Sequence, residues 1–373
     1  MSRLTVQTNI SYDSKRHRYY VIFHEGSDGH GNRRRHTQTF QTLQEAQAAQ
    51  QSGGTGRPAD APLRGCTLRT WMTYWLESVI ARDRAVTTVY GYRNIIRNHI
   101  LPALGGIRLD RLSPPRLQTY LANMIDEGLS PNTVCKHYVT LASCLRLAVR
   151  MDLLDTNPMD RVDPPKRKAA EYTLYTPTQL RTLFSAVEGT YLELAVKLAA
   201  YLGLRRSEIC GLKWGCVDLD KGVISIKEVR TQAGGKPVIK PPKSASSVRK
   251  LGIEGLNDLR SVLLRERSMC PNSRDPEELV LHNTDGRPLE ADRLSFQLNQ
   301  VVHKYHLPKI TMHGLRHSFA SVANSQGVGL YDLSRALGHG SVSVTGNIYT
   351  HLFDDTQQEM LETVACAIEQ GRN

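Results

Sequence analysis

The sequence predicts a mainly α-helical protein with small β-sheets, built in three parts joined by two linkers. Three observations carry this. A length of 373 residues suits about two or three domains. Apolar residues recur at helical spacing through most of positions 66–166 and 170–373. Strand-like runs are confined to the N-terminal fifty residues and to a Gly-Gly hairpin near 222–252. Hydrophobic residues at 40% and charged residues at 23% exclude a membrane-embedded chain and a mostly disordered one.

Residues 1–51 read as a small sheet-plus-helix module. Arg18–Phe23 is aromatic and β-branched, 26–32 is turn-like, and Arg33–Phe40 is a second strand carrying Arg33, Arg34 and Arg35. Thr42 then caps a short helix ending near Gln51. Residues 52–65 are rich in Gly, Pro and Ala and form a flexible linker. Residues 66–162 read as four helices. One begins at Thr67; one runs from Thr87 or Thr88 to about Leu101, where Pro102 and Gly105-Gly106 stop it; the others open at Ser113-Pro114-Pro115 and Ser130-Pro131, the last running to about Met151. Arg93, Arg97, Lys136, Arg146 and Arg150 recur along them. Each alone reads as a solvated face; together they suit a clamp on a polyanion. Residues 163–170 form a basic, proline-rich linker with Lys166, Arg167 and Lys168 able to lie on phosphates. Residues 171–373 form the largest unit, with helices expected near 177–187, 190–202, 253–268, 290–305 and 313–325.

Lys+Arg outnumber Asp+Glu by 48 to 36, a net charge of +12, which favours a polyanionic partner such as nucleic acid. The seven cysteines are scattered, odd in number and without a CxxC pair. That pattern argues against a disulfide framework or a Cys-rich zinc site and suits a reducing cytosol. The N-terminal residues hold no apolar run that would serve as a signal peptide, and no stretch of 18 apolar residues occurs anywhere. A phosphate loop ending at Gly234-Gly235-Lys236 would need glycine at Arg230. No nucleotide-driven step, metal or cofactor is therefore expected.

Four segments carry candidate chemistry. In Leu202–Glu208, Gly203 can end one helix and Ser207 can cap the next, leaving Arg205 at a positive helix start that suits a phosphate. Lys243, in Pro242–Arg249, follows the hairpin and can reach into a cleft. In Thr311–Ser318, His313 and Arg316 share a helix face at i and i+3, while His317, one step round, reads as a packed residue. His339 sits in Leu337–Gly340, and Tyr349 follows ten residues later. A lone arginine, histidine or tyrosine at any of these places would read as packing or surface.

Taken in order, these pieces resemble the tyrosine site-specific recombinase family, the lambda-integrase-like enzymes of phages and mobile elements. GLRRSE matches the first-arginine box at Arg205, with Glu208 as its supporting acid. PKSASSVR matches the lysine box at Lys243, HGLRHSFAS matches His313 and Arg316, LGHGS matches His339, and IYTH supplies the nucleophile, Tyr349. Ser244 stands where many members have Thr, and Gly340 where Ser is common. Arg206 beside Arg205 leaves two arginines to choose between, and Glu208 at the family spacing selects Arg205. The resemblance implies an arm-type DNA-binding module at 1–51, a helical core-binding domain at 66–162 and a mixed α+β catalytic domain at 171–373. It also implies a homotetramer on double-stranded DNA attachment sites, with an excisionase and a host DNA-bending protein as further partners, in the bacterial cytoplasm on the nucleoid. Residues Met360, Leu361, Val364 and Ile368 suggest an amphipathic tail helix of the kind that docks on a neighbouring subunit in that family.

Cleavage through a side chain keeps the bond energy in a covalent link, so strands rejoin without ATP. The resemblance implies a 3′-phosphotyrosine and a free 5′-hydroxyl, with Arg205 and Arg316 gripping the phosphate, Lys243 as general acid, and His313 or His339 handling the phenolic proton. Two other functions compete. A type IB topoisomerase-like nicking and closing enzyme is disfavoured by the N-terminal module and the motif spacing. A catalytically inert DNA-binding regulator is disfavoured by the full set of candidate residues.

Overall fold

The structure is a computed structural model that describes residues 3–14, 17–27, 33–51, 65–168, 172–242, 245–343 and 346. The chain opens with an antiparallel meander, β1 (Arg3–Gln7), β2 (Ile10–Asp13), β3 (Arg18–Ser27) and β4 (Arg33–Phe40), followed by α1 (Leu43–Gln51). Ile10 pairs with Val21 and Tyr19 with Phe40, which puts the apolar alternation of β3 on one face. That face packs Ile10, Val21 and Phe23 with Ala46 of α1. Thr42 Oγ1 accepts from the Glu45 N–H (3.3 Å), the expected cap. Strands β1 and β2 are absent from the sequence reading, because residues 3–13 mix polar and apolar types too evenly to stand out. Asn9, with φ 64°, makes the tight turn between them, a conformation that asparagine tolerates.

The helical segment holds α2 (Leu68–Tyr74) continued by a π turn (Trp75–Ile80), α3 (Ala81–Asp83), and α4 (Val86–Ile95) continued by a second π turn (Ile96–Ile100). Then come α5 (Leu101–Leu104), α6 (Pro114–Asp126) and α7 (Pro131–Arg150). All four expected helices are present. One expectation fails: Pro102 does not stop the second helix. The backbone stays helical through Ile100 (φ −70°, ψ −49°) into α5, and the run ends at Gly105, whose N–H donates to Leu101 O.

By compactness the chain divides into two units, one of residues 1–74, 100–128 and 136–164 and one of residues 75–99, 129–135 and 165–373. In the first, Trp71 is fully buried and its Nε1 donates to Cys144 O (3.1 Å). Tyr120 Oη and His137 Nδ1 share a buried hydrogen bond of 3.1 Å. Asn157 caps the turn Pro158–Arg161 and donates to Ala142 O.

The second unit continues with α8 (Pro177–Val187), α9 (Glu193–Leu202), α10 (Arg206–Ile209), β5 (Val217–Asp218), β6 (Val223–Ile226), β7 (Val229–Ala233), β8 (Lys236–Lys240) and β9 (Arg249–Gly252). It closes with α11 (Asn257–Met269), α12 (Ala291–Lys304), α13 (Met312–Ser325) and α14 (Leu330–Leu337). A Thr176/Gln179 capping box starts α8. The expected hairpin near 222–252 is two ladders. Strands β5, β6 and β9 form one antiparallel sheet, and β7–β8 form a separate hairpin turning at Gly234 (φ 61°) and Gly235 (φ 75°). Helix α9 is buried almost all round, and its Lys197 is answered by the buried Glu193 (2.8 Å) and by the half-exposed Asp258 of α11 (2.7 Å). No helix among the described residues is long and apolar enough to cross a membrane.

Because Trp71 combines full burial with a satisfied indole N–H, Trp71→Ala is expected to lower the unfolding free energy by about 3–5 kcal/mol. A denaturant melt of the full chain checks this, and a loss below ~1 kcal/mol would contradict the packing described.

Candidate active site

The site is organised around one carboxylate. Gly203 ends α9 at φ 61°, and a Cβ there would lie 2.7 Å from Phe319 and 2.8 Å from Leu337, so only glycine fits. The chain then turns through Leu204 into Arg205 and α10. Ser207 lies inside α10 and does not cap it. The carboxylate of Glu208 does so instead, accepting from the Arg205 backbone N–H (2.9 Å). A longer acidic side chain reaches back three residues, as in a capping box, where a serine inside the turn has no such reach. Glu208 is fully buried at its side chain and also accepts from Arg205 Nη1 (2.7 Å) and, through both oxygens, from Arg249 (2.9 and 3.2 Å). Burial pushes the Glu208 carboxyl up, but the Arg249 hydrogen bonds and charge, followed by those of Arg205, hold it below the ordinary carboxylate value.

Helix α13 supplies the next groups. Thr311 Oγ1 caps it by accepting from Gly314 N (3.0 Å). Arg316, 1% exposed, donates to Gly203 O (2.7 Å), to Leu337 O at the end of α14 (2.7 Å) and to His339 Nε2 (2.8 Å). One guanidinium thus ties together α9, α13 and α14. Since an arginine has no acceptor, His339 Nε2 must accept, and this hydrogen-bond network assigns the ring proton to Nδ1. Desolvation, with the Arg316 and Arg205 charges, lowers the His339 pKa to about 4. Partial burial and the same two arginines lower His313 below its ordinary value. His317 is buried against Tyr172 and His313, with ring centroids at 4.2 and 4.5 Å, and desolvation followed by the His313 and Arg316 charges takes it to about 4. It is a packed residue, as its position predicts.

Arg205, His313 and His339 line a cleft of ≈ 800 Å³, together with Lys240, Ser247 and Thr311. Arg205 is 31% exposed at its side chain, and its Nη2 donates to Gly338 O (3.1 Å). Arg316 lies behind this wall. The neighbouring Arg206 lines the same cleft but is held by Ser295 Oγ (2.7 Å) and Asp292 (3.4 Å) on α12 rather than by Glu208. Lys243 and Tyr349 lie outside the described residues, as does the expected tail helix with Met360, Leu361, Val364 and Ile368. Sequence reasoning missed Arg249 and Ser247. Arg249 donates to Ala336 O (2.7 Å) and Ser247 O (3.1 Å), and Ser247 Oγ donates to Gly338 O (3.1 Å). The available signal was charge balance: a buried acid beside one partly exposed arginine calls for a second cation.

The proposed DNA-contact residues stand as follows. Lys136, Arg146 and Arg150 are exposed within about 80° of arc on α7. Arg97, Lys166, Arg167 and Lys168 are exposed. Arg93 is held by Glu77 (2.9 Å), and Arg146 lies 3.9 Å from Asp160. Arg33, Arg34 and Arg35 belong to β4.

A helical domain that buries arginines around one carboxylate, and lines the adjoining cleft with a further cation and two imidazoles, suits an anionic group such as a phosphate. Over 80% of this chain and 99% of its own, the Tn1549 transposon integrase in complex with a circular intermediate DNA has the same fold (TM-score 0.69, 22% identity). A lambda integrase tetramer bound to a Holliday junction matches over 91% of this chain and 97% of its own (TM-score 0.59, 19% identity). The phage integrase family model matches residues 174–356, and the N-terminal SAM-like domain of phage integrases matches residues 67–125. The chain belongs to the phage integrase family of tyrosine recombinases, enzymes that break and rejoin DNA. It is 25% identical to a XerC-like tyrosine recombinase of Caldanaerobacter subterraneus subsp. tengcongensis, over 96% of this chain and 98% of the relative. It is 24% identical to the ICEBs1 integrase of Bacillus subtilis, over 72% and 74%.

The two strongly lowered histidines set a pH response. Folding holds His317 and His339 neutral down to about 4, against an ordinary 6.5. As pH falls from 6.5 towards 4, the unfolded chain takes up protons that the folded chain refuses, so stability is lost through that window. Thermal melts across the window should show a falling midpoint and a shallower fall in His317→Asn. A midpoint that stays level from neutral pH to the lower limit would refute it.

Proposed function

We propose that the chain is a site-specific DNA recombinase of the integrase type, which cuts and rejoins attachment sites through a 3′-phosphotyrosine at Tyr349. The observation that carries this is the buried Glu208, which holds Arg205 into a cleft shared with His313 and His339, with Arg316 braced behind. A phosphodiester entering the cleft meets the partly exposed guanidinium of Arg205. In the reaction the Tyr349 hydroxyl oxygen bonds to phosphorus, and the bond to the 5′ oxygen breaks. The phenol, with an ordinary pKa of about 10, must shed its proton as it attacks. His313 is the acceptor. Its lowered pKa keeps it neutral near pH 7, and it faces the cleft. His339 has its Nε2 lone pair engaged by Arg316, so it serves as an Nδ1–H donor to a non-bridging oxygen once the charge builds. Lys243 gives the departing 5′ oxygen its proton. Attack by a 5′-hydroxyl reverses every step and reseals the strand.

The wider reading follows the family. Residues 1–51 act as an arm-binding module through Arg33–Arg35, 66–162 as a core-binding domain, and 171–373 as the catalytic domain. The exposed face of α7, Arg93 and Arg97 of the second helix, and the basic linker 166–168 grip the DNA backbone, with an affinity that falls as salt rises. The working assembly is a homotetramer on two duplex sites that integrates, and with an excisionase and a host bending protein excises, a mobile element on the bacterial nucleoid.

Tyr349→Phe should abolish covalent protein–DNA adducts on attachment-site DNA while leaving binding to that DNA nearly intact. A gel that still shows a denaturation-resistant adduct would move the nucleophile elsewhere. Deleting residues 1–52 should spare adduct formation on an isolated core site yet impair joining of full-length attachment sites. Undiminished joining by the truncated protein would remove the arm from the reading.

A further inference from the structure

Arg249 is the member of the buried cluster that does not reach the cleft. It is 7% exposed at its side chain and makes two bonds to Glu208, while two more of its donors go to Ala336 O and Ser247 O. The charge arithmetic around Glu208 is simple. A carboxylate with one guanidinium is a closed pair with no net charge to offer an incoming anion. With two guanidiniums the group of three carries one excess positive charge, and the exposed end of that group is Arg205. A buried and ionised Glu208 is therefore useful to the site only when something other than Arg205 answers it.

We propose that Arg249 is a positioning residue that acts through Glu208: its charge occupies the buried carboxylate, so that Arg205 stays oriented by Glu208 yet keeps its positive charge for the scissile phosphate. The proposal rests on the reading that this cleft takes a DNA phosphodiester. The depressed Glu208 carboxyl, for which Arg249 is the main stabilising cause, agrees with it, since the acid stays ionised at neutral pH. Arg249 also links β9, α10 and the end of α14, so a purely mechanical role is the competing explanation. The two roles differ in sign when Glu208 is removed as well.

The test measures single-turnover formation of the covalent adduct by the full chain on attachment-site DNA. The chains compared are the parent, Arg249→Gln, Arg249→Lys, and the double variant Arg249→Gln/Glu208→Gln, each with a thermal melt. Arg249→Gln leaves Glu208 facing Arg205 alone and should slow the adduct by about tenfold or more. Removing the carboxylate as well frees Arg205, so the double variant should be faster than Arg249→Gln by about threefold or more, a coupling that a mechanical strut does not produce. Arg249→Lys keeps the charge and should outpace Arg249→Gln. A double variant no faster than Arg249→Gln, with melting midpoints preserved, overturns the proposal. If Arg249→Gln does not fold, Arg249→Lys decides: a folded lysine variant that forms adduct supports the charge role, and a folded one that does not defeats it. A parent chain that forms no adduct at all removes the underlying reading, and the proposal falls with it.

Discussion

A carboxylate taken wholly out of water is the constraint on which the rest of the site depends. Glu208 cannot remain ionised there unless cations meet it, and the protein meets it with guanidiniums from two directions. Arg205 comes from the same turn and Arg249 from the sheet. Because both oxygens and one backbone N–H are committed, the turn that carries Arg205 has no freedom to swing. Arg205 is thus held by contacts from within the protein itself.

The second brace is Arg316. Three acceptors hold it, among them two carbonyls at the C-terminal ends of α9 and α14, where helix carbonyls lack internal partners. A cation there satisfies them and is favoured by both helix dipoles. The same guanidinium sets the tautomer of His339. Desolvation first, and then the positive charge of Arg316 and Arg205, lowers both cleft imidazoles, so they are neutral near pH 7. Stability and chemistry are coupled at this point: the arrangement that readies the histidines is the one that loses stability in acid.

Away from the cleft, α9 is anchored by a second charge network that runs from the buried Glu193 and Lys197 out to the surface. Lys197 bridges Glu193 and Asp258, Arg265 meets Glu193 (2.7 Å), and Tyr201 donates to Asp258 (3.0 Å). These contacts fasten α9 to α11. Helix α9 in turn delivers Gly203, whose left-handed turn gives a carbonyl to Arg316 and lets the chain double back into Arg205.

The helices were legible in the sequence because their signals are local. Periodic apolar residues, Pro at a first turn and Thr or Ser before it name α6, α7 and α8 without help from tertiary contacts. Arg205, Glu208, His313, Arg316 and His339 were legible as motif residues, since their spacing within each segment is fixed by one helical turn. Strands β1 and β2 were not, because a short, polar strand gains its stability from the neighbour it pairs with. Pro102 was misread because one residue cannot say whether it meets a helix interior or a new first turn. Arg249 escaped for the strongest reason. Its partner lies 41 positions away, and nothing local marks an arginine that will be buried. The chain's own order of residues determined the local segments that carry Arg205, Glu208, His313, Arg316 and His339. Only the tertiary structure decided which guanidinium faces the cleft and which stands behind it, because burial and charge pairing depend on segments that meet in space.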